Sequence, residues 1–134
     1  MKRCLPTNFL LCGLCGWCME CFWTGLHALH EHKDPTLICT TSIWMFPIYG
    51  MAAFISPISK KLKKYNALIR GGVYTIFIFA TEFGSGKILK KFRACPWDYK
   101  KAKLNFKGLI RFDYAPIWFI VGLIFEKILK PQKN

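Results

Sequence analysis

NFLLCGLCGWCMECFWTGLHAL, residues 8–29, carries one charge, Glu20, in its whole length. As a helix rising about 1.5 Å per residue it reaches about 33 Å, enough to cross the hydrocarbon of a bilayer. Backbone amides in lipid find no water, so such a stretch must be helical. Trp17 and Trp23 are its bulky residues, and Gly13, Gly16 and Gly25 leave room for close approach by another helix. Lys2 and Arg3 precede it, but the apolar run is too long for a signal-peptide core and lacks an Ala-x-Ala exit. It reads as a retained first span.

Outward from it, three more apolar stretches follow. Residues 38–58 hold no charge, and Pro47 and Pro57 predict a kink. Residues 69–89 hold Glu82 inside, with Arg70 and Lys87 near the ends, where long side chains snorkel to the surface. Residues 112–129 are short for a span, with Asp113 at one end and Glu126 and Lys127 at the other. The expected fold is an all-α integral membrane protein with four transmembrane helices in a single domain, residues 1–134. A weak repeat points to two helical hairpins in tandem. Glu20 precedes Thr24-Gly25 as Glu82 precedes Ser85-Gly86, and Trp44, Pro47 and Gly50 match Pro116, Trp118 and Gly122.

The totals agree with apolar blocks set between charged loops: 53% hydrophobic residues beside 20% charged ones, and a mean hydropathy of +0.23. The formal charge of +13 lies mostly beside the spans, where each base gains about 1 kcal/mol against anionic lipid headgroups. Anionic headgroups are therefore an expected partner. So are further copies of the chain or other membrane subunits, because four short helices enclose little space. The bases form no single helical face, so nucleic acid is not expected. Of the Lys and Arg, ten fall on each side of such a bundle. The compact group Lys60, Lys61, Lys63, Lys64 and Arg70 tips the orientation toward cytoplasmic termini. In a bacterium the expected location is the plasma membrane.

Several motifs lead nowhere. Cys12, Cys15, Cys18 and Cys21, with Cys95-Pro96, superficially copy an iron–sulfur pattern. The fourth spacing is wrong, and on a helix each three-residue step turns about 300°, so the thiols drift round the surface. They read as small packing residues beside Gly13 and Gly16. His27, His30, Glu31 and His32 read as a span exit, since they lack the His-Glu-x-x-His order of a zinc enzyme. Gly84-Ser85-Gly86-Lys87 is not a P-loop, because Thr81 and Ile88 stand where that motif needs Gly and Ser or Thr. The chain is then not an ATPase, and no catalytic residue, metal ligand or cofactor site is expected.

Chemistry concentrates at two acids and one loop. A carboxylate within a span costs roughly 2.5–3.5 kcal/mol on insertion scales, so Glu20 and Glu82 should face protein, a cavity or a partner. Either they tie helices as protonated acids, or they form a proton or cation pathway. Their similar depth predicts that they converge. The loop 90–111 is dense in bases and aromatics. Within it Trp97, Asp98, Tyr99, Asn105 and Gly108 read as an anchor folding back on the bundle or as a docking surface.

The run Cys95-Pro96-Trp97-Asp98-Tyr99, then Asn105-Phe106-x-Gly108-x-Ile110 and a Tyr114-x-x-x-Trp118 entry to the last helix, resembles the CmpB-like family. The resemblance extends to Gly16-Trp17-x-x-Glu20-x-x-x-Thr24-Gly25 and to Tyr74-Thr75 with Glu82-Phe83-x-x-Gly86, over about residues 13–130. Bacterial members are labelled type IV permeases of ABC transporters, and vertebrate relatives are small transmembrane proteins. The resemblance implies a permease-like membrane component, and the two intramembrane acids, Glu20 and Glu82, are its expected pathway. The rival expectation is a non-transporting scaffold or partner subunit that docks a protein or lipid through its Trp-Asp-Tyr loop. A weaker third is a membrane enzyme acting on headgroups through Asp98 and Asp113.

Overall fold

The computed structural model describes residues 3–131, which leaves Lys2 and Lys133 of the charge pattern outside the described residues. It is mostly helical: α1 Leu5–His32, α2 Met45–Gly50, α3 Ile55–Lys61, α4 Ala67–Lys91 and α5 Ala115–Leu129. Short 3-10 turns occupy Met51–Phe54 and Phe112–Tyr114. A small antiparallel ribbon pairs β1, Asn105–Phe106, with β2, Ile110–Arg111. Among these, α1 and α4 are long and apolar enough to cross a membrane, at 28 and 25 residues.

Their ends follow from local sequence. Proline lies in the first turn of α1, where a missing N–H costs nothing. The helix stops where Lys33 takes a left-handed φ of 53° and its N–H returns to the Ala28 carbonyl. Asn66 opens α4 by accepting a hydrogen bond from the Ile69 N–H at 3.0 Å. Both helices carry large exposed apolar side chains, among them Phe22 (76%) and Ile76 (70%). Exposed faces of this extent are unusual against water and ordinary against lipid.

The chain divides into two compact units, one ending at Met51 and the other starting at Ala52. In the first, α1 and α2 interlock through glycine and aromatic residues. A Cβ on Gly13 would sit 2.8 Å from the Phe46 ring, one on Gly50 2.7 Å from the Phe9 ring, and one on Gly16 would overlap the Tyr49 side chain at its root. Trp17 meets Phe46 edge-on at 4.9 Å. The glycines expected to permit close approach therefore do so.

The second expected span departs from the sequence reading. Residues 38–44 are not helical, and helix begins at Met45. The cause lies in Thr40, Thr41 and Ser42, which bond to α1 rather than to a helix of their own. The Thr40 N–H donates to Thr24 Oγ1 at 3.0 Å, Thr41 Oγ1 donates to Glu20 Oε1 at 3.0 Å, and Trp17 Nε1 donates to the Ser42 carbonyl at 3.0 Å. Hydroxyl side chains offer the chain such alternatives, and β-branched residues lose little by taking them. The prolines act by the same logic. Instead of kinking one helix, Pro47 and Pro57 each sit in the first turn of a short one, α2 and α3.

The second unit uses the same interlock. A Cβ on Gly122 of α5 would lie 2.6 Å from Tyr74 Cβ of α4, while Gly71 of α4 receives the Phe119 ring from α5. The ribbon and its loop settle on the last turns of α4, where a Cβ on Gly86 would meet Leu109 at 2.7 Å and Trp97 at 2.9 Å.

Candidate functional site

Two buried acids, Glu82 and Glu126, organise the second unit. They are held in opposite ways.

Glu82 points from α4 toward the aromatic loop and is 8% exposed. Its Oε1 accepts a hydrogen bond from the Tyr99 hydroxyl at 3.1 Å. Its Oε2 is buried and has no hydrogen-bond partner among the described residues. The Trp118 indole N–H, from α5, is also buried without a partner. It lies near enough to act on the Glu82 carboxyl, but not in a geometry that makes a hydrogen bond. A buried carboxylate oxygen left without a hydrogen bond is costly.

The loop is built to deliver Tyr99. Asn105 Oδ1 accepts from the Gly108 N–H at 3.0 Å, and the Tyr99 N–H donates to the Gly108 carbonyl at 3.0 Å. Gly108 has a φ of 68°, and a Cβ there would press on Asp98 Oδ1 at 2.9 Å, so glycine is needed for both conformation and space. Asp98 Oδ1 caps the Lys100 N–H at 3.1 Å, and Trp97 Nε1 donates to the Leu109 carbonyl at 3.1 Å. Lys90 Nζ reaches from α4 to the Lys107 carbonyl at 3.0 Å. Every loop residue singled out from sequence thus makes an internal contact. Rings then continue toward α5: Tyr99 packs edge-on against Tyr114 at 5.9 Å, and Tyr114 against Trp118 at 6.4 Å. The Arg111 guanidinium lies 4.5 Å from the Tyr114 ring centre and also holds Asp113 at 2.8 Å.

Glu126 is 4% exposed and fully satisfied. Its Oε2 accepts from Tyr74 OH at 2.7 Å and Arg70 Nε at 3.0 Å, and its Oε1 meets Lys130 Nζ at 2.8 Å. Arg70 also donates to the Tyr65 carbonyl at 2.8 Å. This cluster joins the start of α4 to the end of α5. Sequence reasoning missed it: Arg70 was expected to snorkel outward, and it turns inward onto an acid instead. The available signal was that Arg70 and Tyr74, four residues apart, share one helical face.

Glu20 sits differently from Glu82. It is half-buried in the first unit, in a polar seam with Thr24, Thr40, Thr41 and Ser42. Glu20 and Glu82 belong to different units, and each is held by partners of its own. The α1 thiols are spread in exposure as a drifting stripe would be: Cys12 is buried, Cys15 and Cys21 half-buried, and Cys18 exposed.

The model of a family described as "Putative ABC-transporter type IV" matches residues 7–134. No solved structure matches the chain. The match covers nearly the whole polypeptide and includes the Glu82 site and its loop. With two helices apolar enough to span a bilayer, the chain belongs to this CmpB family of transporter-type membrane proteins.

Proposed function

We propose that the chain is a four-span, permease-like membrane component in which Glu82 takes up and releases a proton or small cation beneath the Trp-Asp-Tyr loop. The observation that carries this reading is the Glu82 carboxyl, buried on α4 with one oxygen on Tyr99 and the other making no hydrogen bond, the Trp118 indole N–H being nearby but misaligned. A group placed only to join helices would spend both oxygens, as Glu126 does. The spans are α1, the helical run of residues 45–61, α4, and residues 112–129. The last two turns of α4 and the ribbon then lie at headgroup depth, where Trp97, Tyr99 and the loop lysines are at home. Glu20, in its hydroxyl-lined seam, bridges α1 to Thr41 within its own unit. The termini face the cytoplasm, and further copies or other subunits complete the pathway.

The purified chain in liposomes should move protons or monovalent cations down a gradient. Glu82→Gln should lower that flux at least about tenfold, a barrier change of about 1.4 kcal/mol. Tyr99→Phe, which frees Oε1, should change the rate less. Full flux in the Glu82→Gln protein would overturn the reading.

A second reading, a non-transporting scaffold, draws on a different observation. Phe92 (72% exposed), Leu104 (57%) and Phe106 (46%) stand outward around a strongly basic loop. Such a face suits an anionic membrane surface or an acidic partner. No flux from the unmodified chain, with a bound partner lost on Leu104→Ser, would favour it.

A further inference from the structure

Residues 37–42 run along α1 in a fixed register. Thr40 is bonded to Thr24, Thr41 to Glu20 and Ser42 to Trp17. This register carries Cys39 onto α1: its Cβ lies 3.8 Å from where a Cβ on Gly25 would stand. Cys21 is one helical turn before Gly25 on the same face, and residues four apart on a helix have Cβ atoms about 5–6 Å apart. The chain from Cys39 onward runs back toward the start of α1, past the turn that carries Cys21. Cys39 and Cys21 therefore lie against the same face of α1, within one helical turn of each other. A disulfide needs Cβ atoms roughly 3.5–4.5 Å apart, and the Cys39 Cβ stands one helical turn along α1 from Cys21, in a non-helical segment that can close the remainder.

We propose that Cys21 and Cys39 are a thiol–disulfide site, and that oxidation clasps residues 37–42 to α1. All seven cysteines are free in the reduced chain, and this pair joins elements that already touch. Cys39 is exposed and lies in non-helical backbone, which lipid tolerates only where protein or water satisfies it. A water-borne reagent therefore reaches it first. The co-reactant is a small organic disulfide such as glutathione disulfide. The Cys39 thiolate attacks one of its sulfurs, releasing one small thiol and leaving a mixed disulfide. The Cys21 thiolate then displaces the second small thiol. The two protein thiols lose their hydrogens and two electrons, and the small disulfide is reduced to two thiols. The bond closes the turn at 33–36 and fixes Thr41 Oγ1 against Glu20. Reduction removes that clasp and leaves the segment held to α1 by its hydrogen bonds alone.

The test treats the full-length chain in detergent or liposomes with glutathione disulfide. The remaining thiols are alkylated, and the protein is digested without reduction for mass spectrometry. The expected product is one linked peptide pair joining Cys21 and Cys39, with five of the seven thiols alkylated. Amide exchange over residues 38–42 should slow about tenfold on oxidation, as for a segment that opens less often. Cys39→Ser should abolish both changes and Cys18→Ser neither. A Cys39 that stays a glutathione adduct, or that links to Cys18 or to a second chain, would overturn the proposal. The unmodified protein alone reads these products, so a poorly folding variant does not decide the matter.

Discussion

Gly16→Val should separate α2 from α1 and lower stability by about 3 kcal/mol or more, beyond the usual overpacking range of about 1–3 kcal/mol. The reason is which atom stands in the way. At Gly13 and Gly50 an added Cβ meets the far edge of a ring, which can rotate. At Gly16 it meets Tyr49 at Cγ and at Cβ, and the Cβ position is set by the α2 backbone. No rotamer change moves that Cβ, so the whole short helix must shift, and with it the Phe46–Trp17 contact. Gly84 provides the control, because nothing lies within 4 Å of a Cβ there. Gly84→Ala should be neutral or stabilising by roughly 0.5–1 kcal/mol, the helix preference of alanine over glycine. Denaturation in detergent followed by tryptophan fluorescence would separate the two variants.

Glu126→Ala should destabilise the second unit by about 2–3 kcal/mol. The substitution strands the Tyr74 hydroxyl, whose residue is fully buried, and removes the anion facing Arg70. A buried unsatisfied hydroxyl costs about 1–3 kcal/mol. The charge adds less than the full buried-pair value, because the Arg70 side chain is 21% exposed and can turn to water. Lys130, 60% exposed, should contribute little. Glu126→Gln keeps an acceptor for Tyr74 and should recover about half of the loss. Combining Glu126→Ala with Tyr74→Phe should cost less than the sum of the two single changes, since one interaction is removed twice.

These residues also show where sequence was informative. The helices α1 and α4 were legible because each is a long apolar run broken by one acid, and lipid permits such a run only one backbone form. The small residues at the interlock were legible too, since glycine within a span has few other uses. Residues 38–44 were misread. Averaged hydropathy counts Ile38, Cys39 and Ile43 as apolar and passes over Thr40, Thr41 and Ser42 among them, which bind α1 through the Thr41 hydroxyl and the backbone of the other two. The ribbon was too short to show a two-residue period. Contacts distant in sequence were the least legible. Tyr99 meets Glu82 across 17 residues, and Arg70 meets Glu126 across 56, and neither spacing follows from any local rule.

Each of these interpretations depends on lipid covering the apolar outer faces of α1 and α4. Washing membranes from cells that make the full chain with alkaline carbonate tests that dependence most directly. The protein should remain in the sediment and leave it only with detergent. Recovery in the carbonate supernatant would mean that those faces are buried against something other than a bilayer.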